Sequence, residues 1–246
     1  MLEEYIVVDL EMTGIHPKVD SIIEIGAVKV QGNHVETFQT LVKPKCPIPE
    51  RVTEITGITE EMVKDAEEID VALPHFLEFS GDLPLIGHMV QMDYSFLKQW
   101  AVNLGMKYQR DGLDTLFLSR KLLPELEKFT LSYLTDYYGI DLHGHHRALD
   151  DAMATNILYR SLCTEFEEKN PKDFKARPLI FKAKKQTGIT TQQIRYLKEF
   201  TKYHGIEMPE GVSDMTRSEA SRLTDQMIRQ YGAMVREHCQ IRPHTL

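Results

Sequence analysis

The chain has 246 residues, of which 42% are hydrophobic and 27% are charged. This balance is typical of globular domains and excludes a disordered chain, a collagen-like fibre and a disulfide-stabilised mini-protein. No apolar run approaches the roughly 18 residues of a membrane-spanning helix, and the acidic start Met1-Leu2-Glu3-Glu4 lacks the basic region of a secretory signal. We therefore expect a cytoplasmic protein with one large domain or one domain plus a small appendage.

The net charge of -8 conceals an asymmetry along the chain. Residues 1–169 contain 15 Lys and Arg against 29 Asp and Glu, whereas residues 170–246 contain 14 against 8. A basic C-terminal part is typical of a segment that binds nucleic acid or a membrane surface. It is equally typical of a pair of solvent-exposed helices. The acidic first part needs another explanation, and metal binding is one.

The first predicted elements are three strands joined by short connections, because apolar β-rich runs alternate with turn residues. The strands cover residues 5–11, 21–30 and 34–42. Their order predicts an antiparallel meander. The prolines that follow, at positions 44, 47 and 49, predict a loop.

Helices and strands alternate after this loop. Helices are predicted from residue 59 and over residues 71–79, 94–104, 130–138 and 148–169, and strands over residues 83–88 and from residue 112. A meander followed by such an alternation predicts a mixed sheet flanked by helices, which is an α/β domain.

The chain is predicted to end in a small separate domain. Residues 170–187 have the composition of a linker between an N-terminal domain of residues 1–169 and a C-terminal domain of residues 188–246. Two helices, near residues 191–204 and 216–231, flank an extended segment there. This arrangement loosely resembles helical modules of the SAP type, which bind nucleic acid. The resemblance implies phosphate contacts from Lys182, Lys184, Lys185, Arg195 and Lys198. A packed or protein-binding helix pair is the alternative.

Several carboxylates stand at positions where chemistry is expected. Asp9 and Glu11 are separated by one residue on a strand, so their side chains point to the same face of the sheet. Burying two adjacent carboxylates is costly, and a divalent cation removes that cost, although a solvated strand end would also explain the pair. Asp93 and Asp151 lie in first helical turns, where capping alone would favour an acid.

Taken together, these residues form a pattern that resembles the DEDDh family of 3′→5′ exonucleases. That family includes the proofreading subunits and domains of bacterial replicative DNA polymerases. The matching stretches are VVDLEMTG at 7–14, GHMVQMDYSFL at 87–97 and HRALDDA at 146–152, supported by VTEITGIT at 52–59 and DTL at 114–116. The resemblance covers about residues 4–165. Met12, Met89 and Met92 stand where the family usually has Thr, Asn and Phe.

The resemblance implies a ribonuclease-H-like fold with a mixed five-stranded sheet flanked by helices, next to the small helical C-terminal domain. It also implies metal-dependent hydrolysis of DNA from the 3′ end to nucleoside 5′-monophosphates, with a DNA polymerase as a possible partner. The alternatives are an RNA-trimming exonuclease of the same family, a non-catalytic nucleic-acid-binding module, and a scaffold that docks through its helical tail.

The resemblance further assigns roles to individual residues. Two divalent ions, Mg²⁺ or Mn²⁺, would be held by Asp9, Glu11, Asp93 and Asp151, and His146 would be the general base. Substrate contacts are implied for Met12, Thr13, Gly14, Ile55, His88 and Phe96. Core packing is the alternative for Ile55 and Phe96, and capping of a loop is the alternative for His88.

Overall fold

The computed structural model describes residues 1–140 and 147–234, and the chain divides after Lys185 into two compact units. The strands of the described residues are β1 (Glu4–Met12), β2 (Ile22–Gln31), β3 (His34–Lys43), β4 (Glu67–Glu68), β5 (Leu85–Gly87), β6 (Asp111–Asp114) and β7 (Arg177–Pro178). Their helices are α1 (Glu50–Thr56), α2 (Glu60–Val63), α3 (Ile69–Ser80), α4 (Val90–Asn103), α5 (Thr115–Leu122), α6 (Leu131–Tyr138), α7 (Ala148–Phe166), α8 (Thr191–His204) and α9 (Arg217–Tyr231). Within the described ranges, no helix has the length and apolar character needed to cross a lipid bilayer.

The strands form one mixed sheet in the order β4-β3-β2-β1-β5-β6-β7. Strands β1, β2 and β3 are the expected antiparallel meander, and β5 and β6 continue the sheet parallel to β1. The α/β class and the mixed sheet are therefore confirmed. The expected number of five strands is corrected to seven, because two-residue strands, β4 and β7, pair at the two edges.

The alternation of side chains along β1 separates two hydrophobic cores. Ile6, Val8 and Leu10 face the core that includes α3 and α4, whereas Tyr5 and Val7 face the core that includes α7. Asp9 and Glu11 share the parity of Tyr5 and Val7, so β1 directs both carboxylates toward the α7 side of the sheet.

The loop predicted from the prolines is confirmed, because residues 44–49 connect β3 to α1 without helix or strand. Pro49 is the N-cap of α1, a position that needs no intrahelical hydrogen bond from its nitrogen. One segment differs from the sequence-based expectation. The expected linker of residues 170–187 is largely packed on the first unit. Phe174 and Leu179 are buried there, and Arg177–Pro178 pair with β6.

The second unit is a small helical module in which α8 and α9 pack on each other. Its buried residues include Leu197, Phe200, Val212 and Met227. Both helices begin with a capping box, in which a threonine side chain and a side chain three residues later satisfy each other's backbone N–H groups.

Candidate metal centre

Three acidic side chains meet at the end of β1. Asp9 and Glu11 lie on β1, and Asp151 lies in the first turn of α7. One carboxylate oxygen from each lies within 4.8 Å of the others. Residues from distant parts of the sequence therefore form one cluster that can hold a cation.

Helix α7 reaches this cluster because it packs directly on the backbone of β2. Gly26, which pairs with Asp9 across the sheet, lies against the first residues of α7. A Cβ at Gly26 would lie 2.1 Å from the carbonyl carbon of Ala148 and 2.2 Å from the nitrogen of Leu149. Only glycine permits this approach, which places Asp151 one helical turn further along, beside β1.

The start of α7 is also held by a buried carboxylate. Glu24 pairs with Glu11 in the sheet and is completely buried. Its carboxylate accepts hydrogen bonds from Arg147 Nε at 3.1 Å, from Arg147 Nη2 at 2.5 Å and from the backbone N–H of Ala148 at 3.0 Å. Gln39 Nε2 donates a further bond at 2.9 Å. A negative charge at a helix N-terminus is favourable, so Glu24 stabilises the position of α7.

Asp93 joins the cluster from helix α4. It lies in the first turn of α4 and is buried. Burial raises the pKa of Asp93 well above its usual range, while backbone hydrogen bonds from Asp93 itself and Leu10 act in the opposite direction. The bond from Leu10 holds the Asp93 carboxylate close to β1, although Asp93 is not one of the three acids whose oxygens lie within 4.8 Å of one another.

The electrostatics of the cluster favour a bound cation. Burial, followed by the nearby charge of Asp93, raises the pKa of Asp9 well above its usual range. Burial and the charge of Asp151 raise the pKa of Glu11 to about 8, and Arg147 partly opposes this rise. Carboxylates that repel each other in a desolvated site lose this penalty when a divalent ion binds. A donor set of carboxylate oxygens without a thiolate suits hard cations.

Residues directly after β1 fold back on their own loop. Thr13 is buried, its N–H donates to the carbonyl of Ser21, and its Oγ1 accepts a hydrogen bond from the Ser21 N–H. A Cβ at Gly14 would lie 2.4 Å from Oδ2 of Asp20, so a larger residue there would require the Asp20 carboxylate to shift. The expected contact of Thr13 and Gly14 with substrate stays a prediction.

The other expected substrate contacts have different environments. His88 Nδ1 is bonded to Thr115 Oγ1 at 3.0 Å and His88 Nε2 to the carbonyl of Phe129 at 2.8 Å, so both ring nitrogens have partners within the protein. Ile55 on α1 is 48% exposed and accessible to a ligand, and Met12 is half-buried. The expected contact of Phe96 with substrate is wrong. Phe96 is completely buried in the core beside α3 and α4, because it lies on the inner face of α4.

The expected general base, His146, lies outside the described residues, as do His143 and His145. Arg147, the next residue along the chain, is described and is held by Glu24.

Glu24, Gly26 and Arg147 were not identified from the sequence as site residues. The sequence does indicate that Glu24 and Gly26 are unusual, because an acid and a glycine interrupt an otherwise apolar strand. Arg147 gave no comparable signal, since an arginine before a helix is ordinary.

The mixed sheet, with partly buried carboxylates where β1 ends and α7 begins, defines a protein of the nuclease class. The family model described as "Exonuclease" (RNase_T) matches residues 6–159, and the chain belongs to this family. The family depends on divalent metal, in agreement with the acidic cluster.

Relatives of this chain are named as components of DNA polymerase III. This chain is 40% identical over 205 residues to the PolC-type DNA polymerase III of Clostridium perfringens (strain 13 / Type A). The aligned region covers 76% of this chain and 14% of that protein. This chain is also 38% identical over 163 residues to the DNA polymerase III subunit epsilon of Aquifex aeolicus (strain VF5). The aligned region covers 65% of this chain and 81% of that protein. The chain thus spans only 11% to 14% of the PolC-type relatives that it matches first.

The fold is shared with solved exonucleases. Exonuclease X, solved in complex with 5′ overhanging duplex DNA, superposes with a TM-score of 0.54 at 24% identity. The superposition covers 66% of this chain and 92% of that chain. This likeness establishes the architecture of the first unit.

Proposed function

We propose that the protein is a metal-dependent 3′→5′ exonuclease that shortens DNA from its 3′ end and releases nucleoside 5′-monophosphates. The observation that carries this proposal is the convergence of Asp9, Glu11 and Asp151 within 4.8 Å, with Asp93 against the same strand. The epsilon subunit and PolC-type relatives favour a proofreading or repair role with a DNA polymerase as partner. The cytoplasmic location expected from the sequence agrees with such a role.

The four acids would hold two divalent ions, Mg²⁺ or Mn²⁺. Ions bound there would supply Lewis acidity for the attack of water on the phosphodiester and would relieve charge on the leaving oxygen. The acids Asp9 and Glu11 are fixed by the sheet, and Asp151 is fixed by the packing of α7 on Gly26. A rigid cluster of this kind needs no rearrangement when substrate arrives.

The remaining roles belong to side chains around the cluster. His146 would accept the proton of the attacking water on a ring nitrogen, since imidazole is the side chain best suited to proton transfer at neutral pH. Arg147 carries positive charge beside Glu11 and is itself held by its bonds to Glu24. Thr13, Gly14 and Ile55 would contact the terminal nucleotide.

The test uses a 5′-labelled single-stranded DNA with Mg²⁺ and then with chelator. A ladder that shortens from the 3′ end, disappears with chelator and is lost in Asp9→Ala supports the proposal. Asp65→Ala, which removes an exposed acid outside the cluster, is the matched control and should leave the ladder intact. Internal cuts, or cleavage that is indifferent to chelation, would contradict the proposal.

Two further comparisons separate the related functions. DNA and RNA oligomers of one sequence distinguish the DNA exonuclease from an RNA-trimming enzyme, because the faster substrate identifies the class. Tight binding of DNA without cleavage under every metal condition would instead indicate a non-catalytic module.

A further inference from the structure

The positive charge of the C-terminal part is concentrated in a short stretch of the first unit. Residues 170–185 contain six Lys and Arg and one Asp, whereas residues 186–234 contain six Lys and Arg and six Asp and Glu. The rest of the first unit has a large excess of acids. A basic segment therefore lies on an acidic unit, and the helical module itself is close to neutral.

Residues 179–185, here called the basic strap, are fixed along helix α4. Gln91 Nε2 donates to the carbonyl of Ile180 at 3.1 Å, and Gln99 Nε2 donates to the carbonyl of Lys184 at 2.8 Å. Gln99 is completely buried, so its bond to the strap forms away from water. These bonds make the strap a part of the first unit's surface with a defined course.

Burial alternates along the basic strap. Leu179 and Phe181 pack against the core that includes α4, while Ile180, Lys182 and Lys184 are exposed, as is Lys185. Ile180 is 81% exposed. No ion pair with a carboxylate involves the three lysines within residues 1–140 and 147–234. The outer side of the strap thus presents three ammonium groups and one large apolar side chain.

The strap runs along α4 from its N-terminal end. Gln91, whose side chain bonds the carbonyl of Ile180, lies in the first turn of α4, two residues before Asp93. Gln99, whose side chain bonds the carbonyl of Lys184, lies eight residues later, or about 12 Å along the axis of α4. The strap therefore extends from the end of α4 that carries Asp93 toward the other end of this helix.

We propose that the basic strap binds the phosphate backbone of the substrate strand upstream of its 3′ end. Lysine ammonium groups attract phosphates irrespective of sequence, and the exposed Ile180 provides apolar contact for a sugar or base next to the site. The overall negative charge of the first unit makes such a local path necessary for a polyanionic strand. This inference rests on the proposed function for the position of the 3′ end.

Binding of DNA tests the strap without requiring cleavage. In an Asp9→Ala background, the substitutions Lys182→Ala, Lys184→Ala and Lys185→Ala are combined, and affinity for a 5′-labelled single-stranded 12-mer is measured by fluorescence anisotropy at several salt concentrations. Loss of three phosphate contacts should weaken binding about tenfold at low salt and reduce the slope of log K against log salt by about 2. Ile180→Ser should weaken binding equally at every salt concentration, because an apolar contact releases no counterions.

The matched control removes the same charge elsewhere on the first unit. Lys169→Ala, Lys172→Ala and Lys175→Ala together change three exposed lysines that lie outside the basic strap. The proposal requires this variant to retain the parental slope. Equal weakening by the two triple variants would overturn it, since the effect would then come from net charge alone.

Activity on a small ester separates failure of the strap from failure of the proposed function. The p-nitrophenyl ester of thymidine 5′-monophosphate contains no upstream phosphate, so the strap variant with an intact Asp9 should hydrolyse it at the parental rate while its KM for the 12-mer rises. Equal losses on both substrates would overturn the strap's role. If the parent cleaves neither substrate, the proposed function fails, and the salt slopes still decide whether the strap binds DNA.

Discussion

Arg147 and Glu24 are 123 residues apart in sequence, and their side chains form a two-point ion pair behind the metal centre. Glu24 is completely buried, while Arg147 is 35% exposed. The same carboxylate accepts the N–H of Ala148, so one group on β2 fixes both the side chain and the backbone at the start of α7. Because Asp151 lies in this first turn of α7, the contact couples the sheet to the candidate metal centre.

We predict that Glu24→Gln destabilises the protein and weakens its metal centre. Arg147 loses the charge that compensates it, and the free energy of unfolding should fall by about 2 kcal/mol, less than for a fully buried pair because Arg147 is partly exposed. Urea denaturation measures the loss, and titration with Mn²⁺ should show weaker binding. In the activity assay, kcat should fall more than KM for DNA rises, because the pair supports the metal ligands and does not contact the upstream strand.

The controls for this prediction distinguish stability from positioning. Glu36→Gln removes an exposed acid paired with His34 and should cost less than about 0.5 kcal/mol. The double variant Glu24→Met with Arg147→Leu should regain stability, because an apolar pair avoids the buried charge, yet it should not regain kcat. Equal behaviour of Glu24→Gln and Glu36→Gln would show that the buried pair has no special role.

Gly26→Ala should displace α7 from the sheet. The new methyl group would overlap backbone atoms of Ala148 and Leu149, which cannot move independently of the helix. We expect a loss of about 3 kcal/mol and a large loss of exonuclease activity, because Asp151 would move away from Asp9. The control is Gly188→Ala, where a Cβ meets nothing within 4 Å. Retention of parental metal affinity and activity by Gly26→Ala would contradict this account of how α7 is placed.

Local patterns in the sequence place Asp9, Glu11 and Asp151 on their elements, and the resemblance to the exonuclease family implies that they converge. The two-residue period of a strand places Asp9 and Glu11 on one face, and the helical pattern after residue 147 places Asp151 in a first turn. That these elements meet is implied by the resemblance of the motif order to the family, whereas the contacts of Glu24 and Gly26 that place α7 come from the structure.

What the sequence does not predict depends on pairing between distant segments. Strands β4 and β7 have two residues each and exist only because they meet an edge of the sheet. The partner of Glu24 follows from how α7 packs, and Phe96 is buried because of which face of α4 meets the sheet. Such tertiary contacts leave no local pattern in the sequence.

Met89→Asn should stabilise the protein. Met89 has φ 77° and ψ 38°, and it is the one non-glycine residue of the described part of the chain with a positive φ. This left-handed conformation costs a residue such as methionine about 1 kcal/mol, and asparagine tolerates it better. We expect a gain of about 0.5 kcal/mol for Met89→Asn in thermal unfolding. Met153→Asn, at a similarly exposed position inside α7, should instead lose stability through poorer helix propensity. A loss in both variants would exclude strain at Met89.

The metal-free protein should lose stability as the pH rises toward neutrality. The pKa of Glu11 is raised from 4.5 to about 8, so between these values the folded protein retains a proton that the unfolded chain has released. The contribution of Glu11 to stability is therefore fully present below about pH 4.5, falls as the pH rises through this window, and levels off above about pH 8. Asp9 and Asp93 act in the same direction, since their pKa values are also raised.

With chelator present, the melting temperature should fall by at least about 5 °C between pH 5 and pH 8. Mg²⁺ or Mn²⁺ binds the ionised acids, so the gain in melting temperature on adding metal should grow over the same window, and Glu11→Gln should reduce both effects. A metal-induced gain that is constant from pH 5 to pH 8 would show that these carboxylates do not hold the ion.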